Sequence, residues 1–230
     1  MRGYFSKKDI VIYLISVVLV TLSGVLSGYG GALMTITSLI GVTSLILNSK
    51  GNPIGQLLMI LFSILYGIVS YSFSYYGEML TYLGMTAPMA LIALISWVRH
   101  PFEKGGAEVR VTILRGRTLA LSAMAAVVIT IPSYFVLRYF ETPMLVVSTF
   151  SVATSFIAVM LTALRTPWFA IAYAANDIVL VALWSYASIA NKGYLSVVVC
   201  FLVFLVNDLY CFFSWRIMQK RQDTQLQILN

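Results

Sequence analysis

The stretch IVIYLISVVLVTLSGVL, residues 10–26, is apolar on every side and carries no charged residue. It has neither the two-residue alternation of a half-exposed strand nor the one-sided stripe of a soluble helix, so it reads as a helix immersed in lipid. The same texture recurs outward from it, almost without pause, as far as Ser214. Of the 230 residues, 60% are hydrophobic and 10% are charged, against about 25% charged in an ordinary soluble domain. A water-soluble fold is excluded. A membrane β-barrel is excluded too, because its strands alternate apolar and polar residues over short segments. Helices then satisfy the backbone groups inside the bilayer.

Eight spans are expected, at residues 10–29, 31–48, 53–75, 78–98, 118–137, 144–164, 167–190 and 193–214. If the N-terminus lies in the cytoplasm, the cytoplasmic segments hold Arg2, Lys7, Lys8, Lys50, Arg99, Lys104, Arg110, Arg115, Arg117, Arg165, Arg216, Lys220 and Arg221, which is 13 of the 15 basic residues. Arg138 and Lys192 fall on the other side. Basic residues gather in cytoplasmic loops, so an even number of spans with both ends cytoplasmic is expected. The net charge of +7 is thereby explained by topology and not by nucleic acid. Arg2, Lys7 and Lys8 before an apolar run, with GYGGA at 28–32 after it, have the form of a secretory signal. The next apolar segment starts at once, however, so the first span is expected to persist as a helix.

Two parts of the chain resemble each other. In the first, Thr43-Ser44 is followed by Pro53, Gly77 and Ser96-Trp97 with Arg99; in the second, Thr154-Ser155 is followed by Pro167, Gly193 and Ser214-Trp215 with Arg216. The Pro-to-Gly intervals are 24 and 26 residues and the Gly-to-Trp intervals 20 and 22. Two three-helix repeats are expected, at 31–98 and 144–216. An extra N-terminal helix (1–30) precedes them, a cytoplasmic loop and linker helix (99–143) joins them, and a basic cytoplasmic tail (217–230) follows. A single crossing between three-helix units makes them parallel, a 3+1+3 core, and transporters built from such repeats hold substrate near the midplane where the repeats meet.

An ionised side chain deep in lipid costs at least about 2.5 kcal/mol, so Asp177 and Asp208 need a reason to be there. Each follows an asparagine, in Asn176-Asp177 and Asn207-Asp208, and each has a tryptophan seven residues later, Trp184 and Trp215. Seven residues is two helical turns, hence the same face, and Tyr173 lies on that face of its span. A carboxylate, a carboxamide and aromatic rings together suit a flat base and a hydroxylated sugar. The same pairs serve equally as hydrogen bonds between helices. Gln56 and Tyr66 are the candidates in the first repeat, and Trp168 opens the span that holds Asn176. Tyr75, Tyr76 and Glu78 read as an outer edge, where tyrosines commonly anchor a membrane protein. Cys200 and Cys211 read as packing residues, His100 as interfacial, and no metal, nucleotide-phosphate or nucleophile motif is present. No cofactor and no catalysis are expected.

The stretches TSLIGVTSLILNSKGNPIGQLLMILFSILYGIVSYSFSYYGEM (37–79), LRTPWFAIAYAANDIVLVALW (164–184) and GYLSVVVCFLVFLVNDLYCFFSW (193–215), with the basic tail, resemble the PnuC family of nicotinamide riboside transporters over about residues 35–220. The resemblance implies the same 3+1+3 core, a bacterial inner membrane location and facilitated diffusion of nicotinamide riboside, or of thiamine, riboflavin or deoxynucleosides as in its relatives. It also implies substrate-binding residues on the span opened by Trp168, at Asn176 and Asp177, and at Gln56. The chain departs from the family pattern at Arg165-Thr166-Pro167, where a Glu often precedes the Trp, and at Asp208-Leu209-Tyr210, where a Gly is frequent; these departures bear on which vitamin is carried. The expected partners are that small molecule and the lipid bilayer, with a homo-oligomer compatible with the pattern and no nucleic acid. Two other readings remain open: a proton-coupled carrier using Asp177 or Asp208, and a membrane-embedded binding subunit of a multi-component importer.

Overall fold

The computed structural model describes residues 4–27 and 31–229. They form α1 (Lys7–Ser27), α2 (Gly31–Asn48), α3 (Pro53–Ser72), α4 (Tyr76–Arg99), α5 (Gly116–Tyr139), α6 (Leu145–Ala163), α7 (Trp168–Ala190) and α8 (Leu195–Leu229). Seven of these are long and apolar enough to cross a membrane; α2 is equally apolar and falls just short of that length. The end of the first expected span, at 28 and 29, lies outside the described residues, as does most of GYGGA. Among the described residues there is no strand, only an isolated bridge between Pro101 and Val109.

Lipid removes the hydrophobic drive for helices to associate, so packing and hydrogen bonds decide the arrangement. Helix α8 packs on α1, α2 and α7; α3 packs on α2 and α4; α6 packs on α4, α5 and α7. Helices α1 and α5 lie at the periphery and turn rows of Leu, Ile and Val outward. Helix α1 is nonetheless fixed to its neighbours. The Tyr13 hydroxyl meets Thr43 Oγ1 at 3.1 Å, and Lys50 Nζ lies 2.6 Å from the fully buried Asp9 carboxylate, which the Tyr210 hydroxyl also bonds.

The turns entering α3 and α7 are built alike. Each has a left-handed residue, Gly51 at φ +63° and Arg165 at φ +58°, and two positions later a proline that opens the helix. Proline fixes a helical φ and has no N–H to leave unsatisfied in the first turn. Asn52 completes the first of these turns by accepting the Ile54 N–H at 2.9 Å.

Helix α4 widens into a π-turn at Tyr82–Thr86, where the Ala87 N–H bonds the Tyr82 carbonyl five residues back. Pro88 supplies the cause, since its ring cannot sit against the carbonyl four residues earlier and it donates no bond there. Such turns mark functional sites in many helices. Here the wider turn brings Tyr82 and Thr86 to one side.

The last helix does not stop at Ser214. It runs 35 residues, roughly 52 Å at 1.5 Å per residue, against a hydrocarbon layer of about 30 Å. The segment expected as a basic tail is therefore a helical extension, and its neighbour holds it in place. Gln222 accepts the Val111 N–H at 2.9 Å and donates to the Val109 carbonyl at 3.0 Å, while Arg221 pairs with Glu108. The 100–115 segment is in turn tied to both proline turns, Val109 N–H to the Gly51 carbonyl at 3.0 Å and Thr112 N–H to the Arg165 carbonyl at 2.9 Å. Its backbone donors are used in bracing rather than left free to swing.

Candidate functional site

Asp177 lies nine residues into α7 and Asp208 thirteen into α8, roughly 14 and 20 Å along their helices, which is mid-depth in a bilayer. Both are buried, and both line a cavity of about 20 Å³ with Tyr173, Asn176, Ser155, Thr86 and Tyr82. Phe62, Phe204, Met59 and Leu45 complete its wall. That volume holds about one water molecule. Asp177 Oδ2 and Asp208 Oδ1 are buried without a hydrogen-bond partner.

Helix α6 positions the asparagine. Thr154 and Ser155 place their hydroxyls 2.9 and 3.0 Å from Asn176 Oδ1, which fixes the carboxamide by its oxygen. One turn away, Ser151 lies 3.4 Å from the same oxygen. Glu78 is buried, with Oε2 unpaired. Glu78 stands in the first turn of α4, beside Tyr75 and Tyr76, with its side chain buried against α6 rather than exposed.

Aromatic layers lie on either side of the cavity. On one side, Trp184 Nε1 donates to the Tyr66 hydroxyl at 2.8 Å, and Trp184 packs against Tyr75 and Tyr194 with ring centroids 4.5 and 5.6 Å apart. Burial lifts the Tyr75 hydroxyl above its ordinary range, with Tyr194 and Glu78 adding to the shift. That ring stays neutral. On the other side, Trp97, Phe169 and Trp215 form a cluster with centroids 4.9 to 6.3 Å apart. Trp97 donates to the Thr162 carbonyl at 2.9 Å and Trp215 to the Asn48 carbonyl at 2.7 Å. Beside them Ser96 donates to the Ala163 carbonyl at 2.8 Å and Ser214 to the Ser49 carbonyl at 2.7 Å.

The arrangement is a small chamber at mid-depth lined by polar and aromatic side chains, and no group of three or more His, Cys, Asp or Glu that could hold a metal ion occurs among the described residues. The family model described as "Nicotinamide mononucleotide transporter" matches residues 31–217. The chain belongs to that family. A curated relative, the nicotinamide riboside transporter PnuC of Neisseria mucosa, is 25% identical over 197 residues, covering 84% of this chain and 75% of the relative. A solved structure titled "Crystal structure of the Vitamin B3 transporter PnuC" superposes with a TM-score of 0.83 at 23% identity, covering 95% of this chain and 94% of the other. As a member of the nicotinamide mononucleotide transporter family, the chain is a multi-pass membrane transporter and not an enzyme.

Within this family member the residues singled out from sequence separate into groups. Tyr173, Asn176, Asp177 and Asp208 share the cavity wall. Tyr66 and Trp184 belong to the adjoining aromatic layer. Seven residues along antiparallel helices carry Trp184 and Trp215 to opposite sides of the cavity, roughly 10 Å from their aspartates. Gln56 donates to Asn48 Oδ1 at 2.9 Å, in a network with Ser44 and the Gly55 carbonyl that clasps α2 to α3. Asn207 donates to Ser16 Oγ on α1 at 2.8 Å, away from the chamber. Trp168 is 45% exposed and packs on Phe212, whereas the other three tryptophans are fully buried. The sequence reading missed Phe62, Tyr82, Thr86 and Phe204; Pro88 beside the expected cavity was the available signal for the π-turn.

Proposed function

We propose that the chain carries nicotinamide riboside, or a vitamin of closely similar form, by facilitated diffusion with alternating access. The observation that carries the reading is the small mid-depth chamber lined by two carboxylates, a carboxamide and rings between two aromatic layers. A central site near the midplane is what the repeats of an alternating-access transporter rock around. The names of the curated relative and the superposed structure, which refer to nicotinamide riboside and vitamin B3, support that substrate. In this reading Asn176 presents its amide NH₂ to the ligand, since its oxygen is already held by α6. Tyr173 and Tyr82 flank the flat ring, and Trp184 with Tyr66 closes one exit.

The moving parts are two parallel three-helix repeats, α2–α4 and α6–α8, joined by α5, with α1 as an addition. The reciprocal bonds support this division: Ser96-Trp97 on α4 reach the end of α6, and Ser214-Trp215 on α8 reach the end of α2. Gly51 and Arg165, both left-handed, support it as well. These bonds relate Asn48 to Thr162, an offset of 114 residues, so Ser44 corresponds to Ala158 and the Thr-Ser match drawn from sequence shifts by three residues. The face rich in Lys and Arg is taken as cytoplasmic in a bacterial inner membrane. The wall of the chamber comes from a single chain.

Purified chain in liposomes tests this. Labelled nicotinamide riboside should enter without ATP or an ion gradient and stop when concentrations equalise. Uptake that collapses with an imposed proton gradient would favour a proton-coupled carrier, and no movement at all would favour a subunit that needs a separate ATPase.

A further inference from the structure

Where α8 leaves the hydrocarbon layer, the face rich in basic residues carries a groove of about 670 Å³ that shares no residue with the chamber. That size falls within the roughly 300 to 1,000 Å³ of small-molecule sites. Three residues of its wall set its depth. Lys7 opens α1, and Lys50 stands in the turn between α2 and α3. Ser214 lies nineteen residues beyond the start of α8, roughly 29 Å along the helix against a hydrocarbon layer of about 30 Å. The groove is therefore at the level of the lipid headgroups.

Its wall joins cations to apolar side chains. Lys7, Lys50 and Arg221 share it with Glu108, and the fully buried Asp9 stands behind Lys50 at 2.6 Å. Glu108 is already paired with Arg221 and accepts from the Gln222 amide at 2.7 Å. Lys7 has no ion pair among the described residues. Three cations and two carboxylates thus leave one positive charge over, which a single phosphodiester matches. Tyr4, Phe5 and Ile217, all exposed, supply an apolar side to the same wall. A free anion in water would leave that side wet, whereas the glycerol and acyl groups of a lipid cover it.

We infer that this groove is a site for one anionic phospholipid of the adjoining leaflet, with its phosphate on Lys7 and Lys50 and its glycerol and upper acyl groups against Tyr4, Phe5 and Ile217. Basic pockets between membrane helices on the cytoplasmic side take such headgroups, and this is the face taken as cytoplasmic above. The site is built from α1, the turn into α3 and α8, beside the bonds by which Ser214 and Trp215 hold the end of α2. Bound lipid fastens α8 to that turn and so stabilises this arrangement of the helices.

The test is native mass spectrometry of the full chain in detergent micelles, supplied with equal amounts of dioleoyl phosphatidylglycerol and dioleoyl phosphatidylcholine. One phosphatidylglycerol should be retained, in about tenfold preference to phosphatidylcholine, and Lys7→Glu should remove the preference. Lys104→Glu, the same charge change on the same face but outside the groove, should keep it. The Tm of the purified chain should rise with phosphatidylglycerol and not with inorganic phosphate at the same concentration. No preference in the unaltered chain overturns the site, and that comparison needs no variant to fold. A preference that Lys7→Glu leaves intact places the lipid elsewhere and overturns it too. Loss of the preference in both variants reduces it to attraction by a basic surface, and an equal rise in Tm with inorganic phosphate makes the groove an anion site without a lipid; either result overturns the inference.

Discussion

Asn176-Asp177 on α7 and Asn207-Asp208 on α8 are the same dipeptide on two packed helices, yet only one of the asparagines reaches the chamber. Neighbouring residues on a helix point about 100° apart, so the use of each pair depends on what surrounds its helix. On α7, that arc runs from α6, whose hydroxyls hold Asn176, to the chamber, which Asp177 lines. On α8, it runs from α1, where Asn207 bonds Ser16, to the chamber, which Asp208 lines. The same two residue types thus yield two residues of the cavity wall in one place, and in the other one wall residue and one fastening for α1.

Substitutions in these pairs can break or sharpen that contrast. The largest effect is expected from Asp177→Ala, which removes one carboxyl group from the chamber: affinity for nicotinamide riboside should fall about ten- to a hundredfold, since a hydrogen bond to a charged group contributes about 1.5 to 3 kcal/mol. Calorimetry on the purified chain measures it. Next comes Asn176→Ala, which removes the carboxamide that α6 holds in place; about tenfold weaker binding is expected, from one or two lost hydrogen bonds of about 1 kcal/mol each. Asn207→Ala should leave affinity within about threefold while lowering thermal stability, because one interhelical hydrogen bond in a membrane contributes about 0.6 to 1.7 kcal/mol. Ser16→Ala removes the other half of that bond and should give the smallest change, about 0.6 kcal/mol or less in stability, with uptake into liposomes unaltered. If Asn207→Ala weakens binding as much as Asn176→Ala does, the two pairs are not used differently.

Much of the fold was legible because lipid makes polar residues conspicuous. The proline turns at 53 and 167, the charge-free runs and the basic loops mark where helices begin and which ends share a face. The family and the transporter role followed from the resemblance of residues 37–79, 164–184 and 193–215 to the PnuC family. The course of residues 215–229 did not, because a basic, Gln-containing stretch reads as a solvated tail until Gln222 is seen to bond the backbone at 109 and 111. For the chamber, sequence pointed to Asn-Asp pairs by the energetic cost of placing them in hydrocarbon. It could not give the rotation of each helix, because helices apolar all round carry no periodic stripe to fix a face. Gln56 looked like Asn176 for that reason, although its bond to Asn48 spends it on the α2–α3 contact. Phe62, Tyr82 and Phe204 were hidden among the many aromatic residues of a lipid-embedded chain.

The central claim is that the space between Asp177 and Asp208 opens to receive the substrate. An experimental structure of the chain with nicotinamide riboside tests it most directly. The account predicts the pyridinium ring between the two carboxyls and the ribose near Asn176, with Tyr82 moved outward as the chamber expands. A ligand seated elsewhere, with the small cavity lined by Asp177 and Asp208 unchanged, would contradict it.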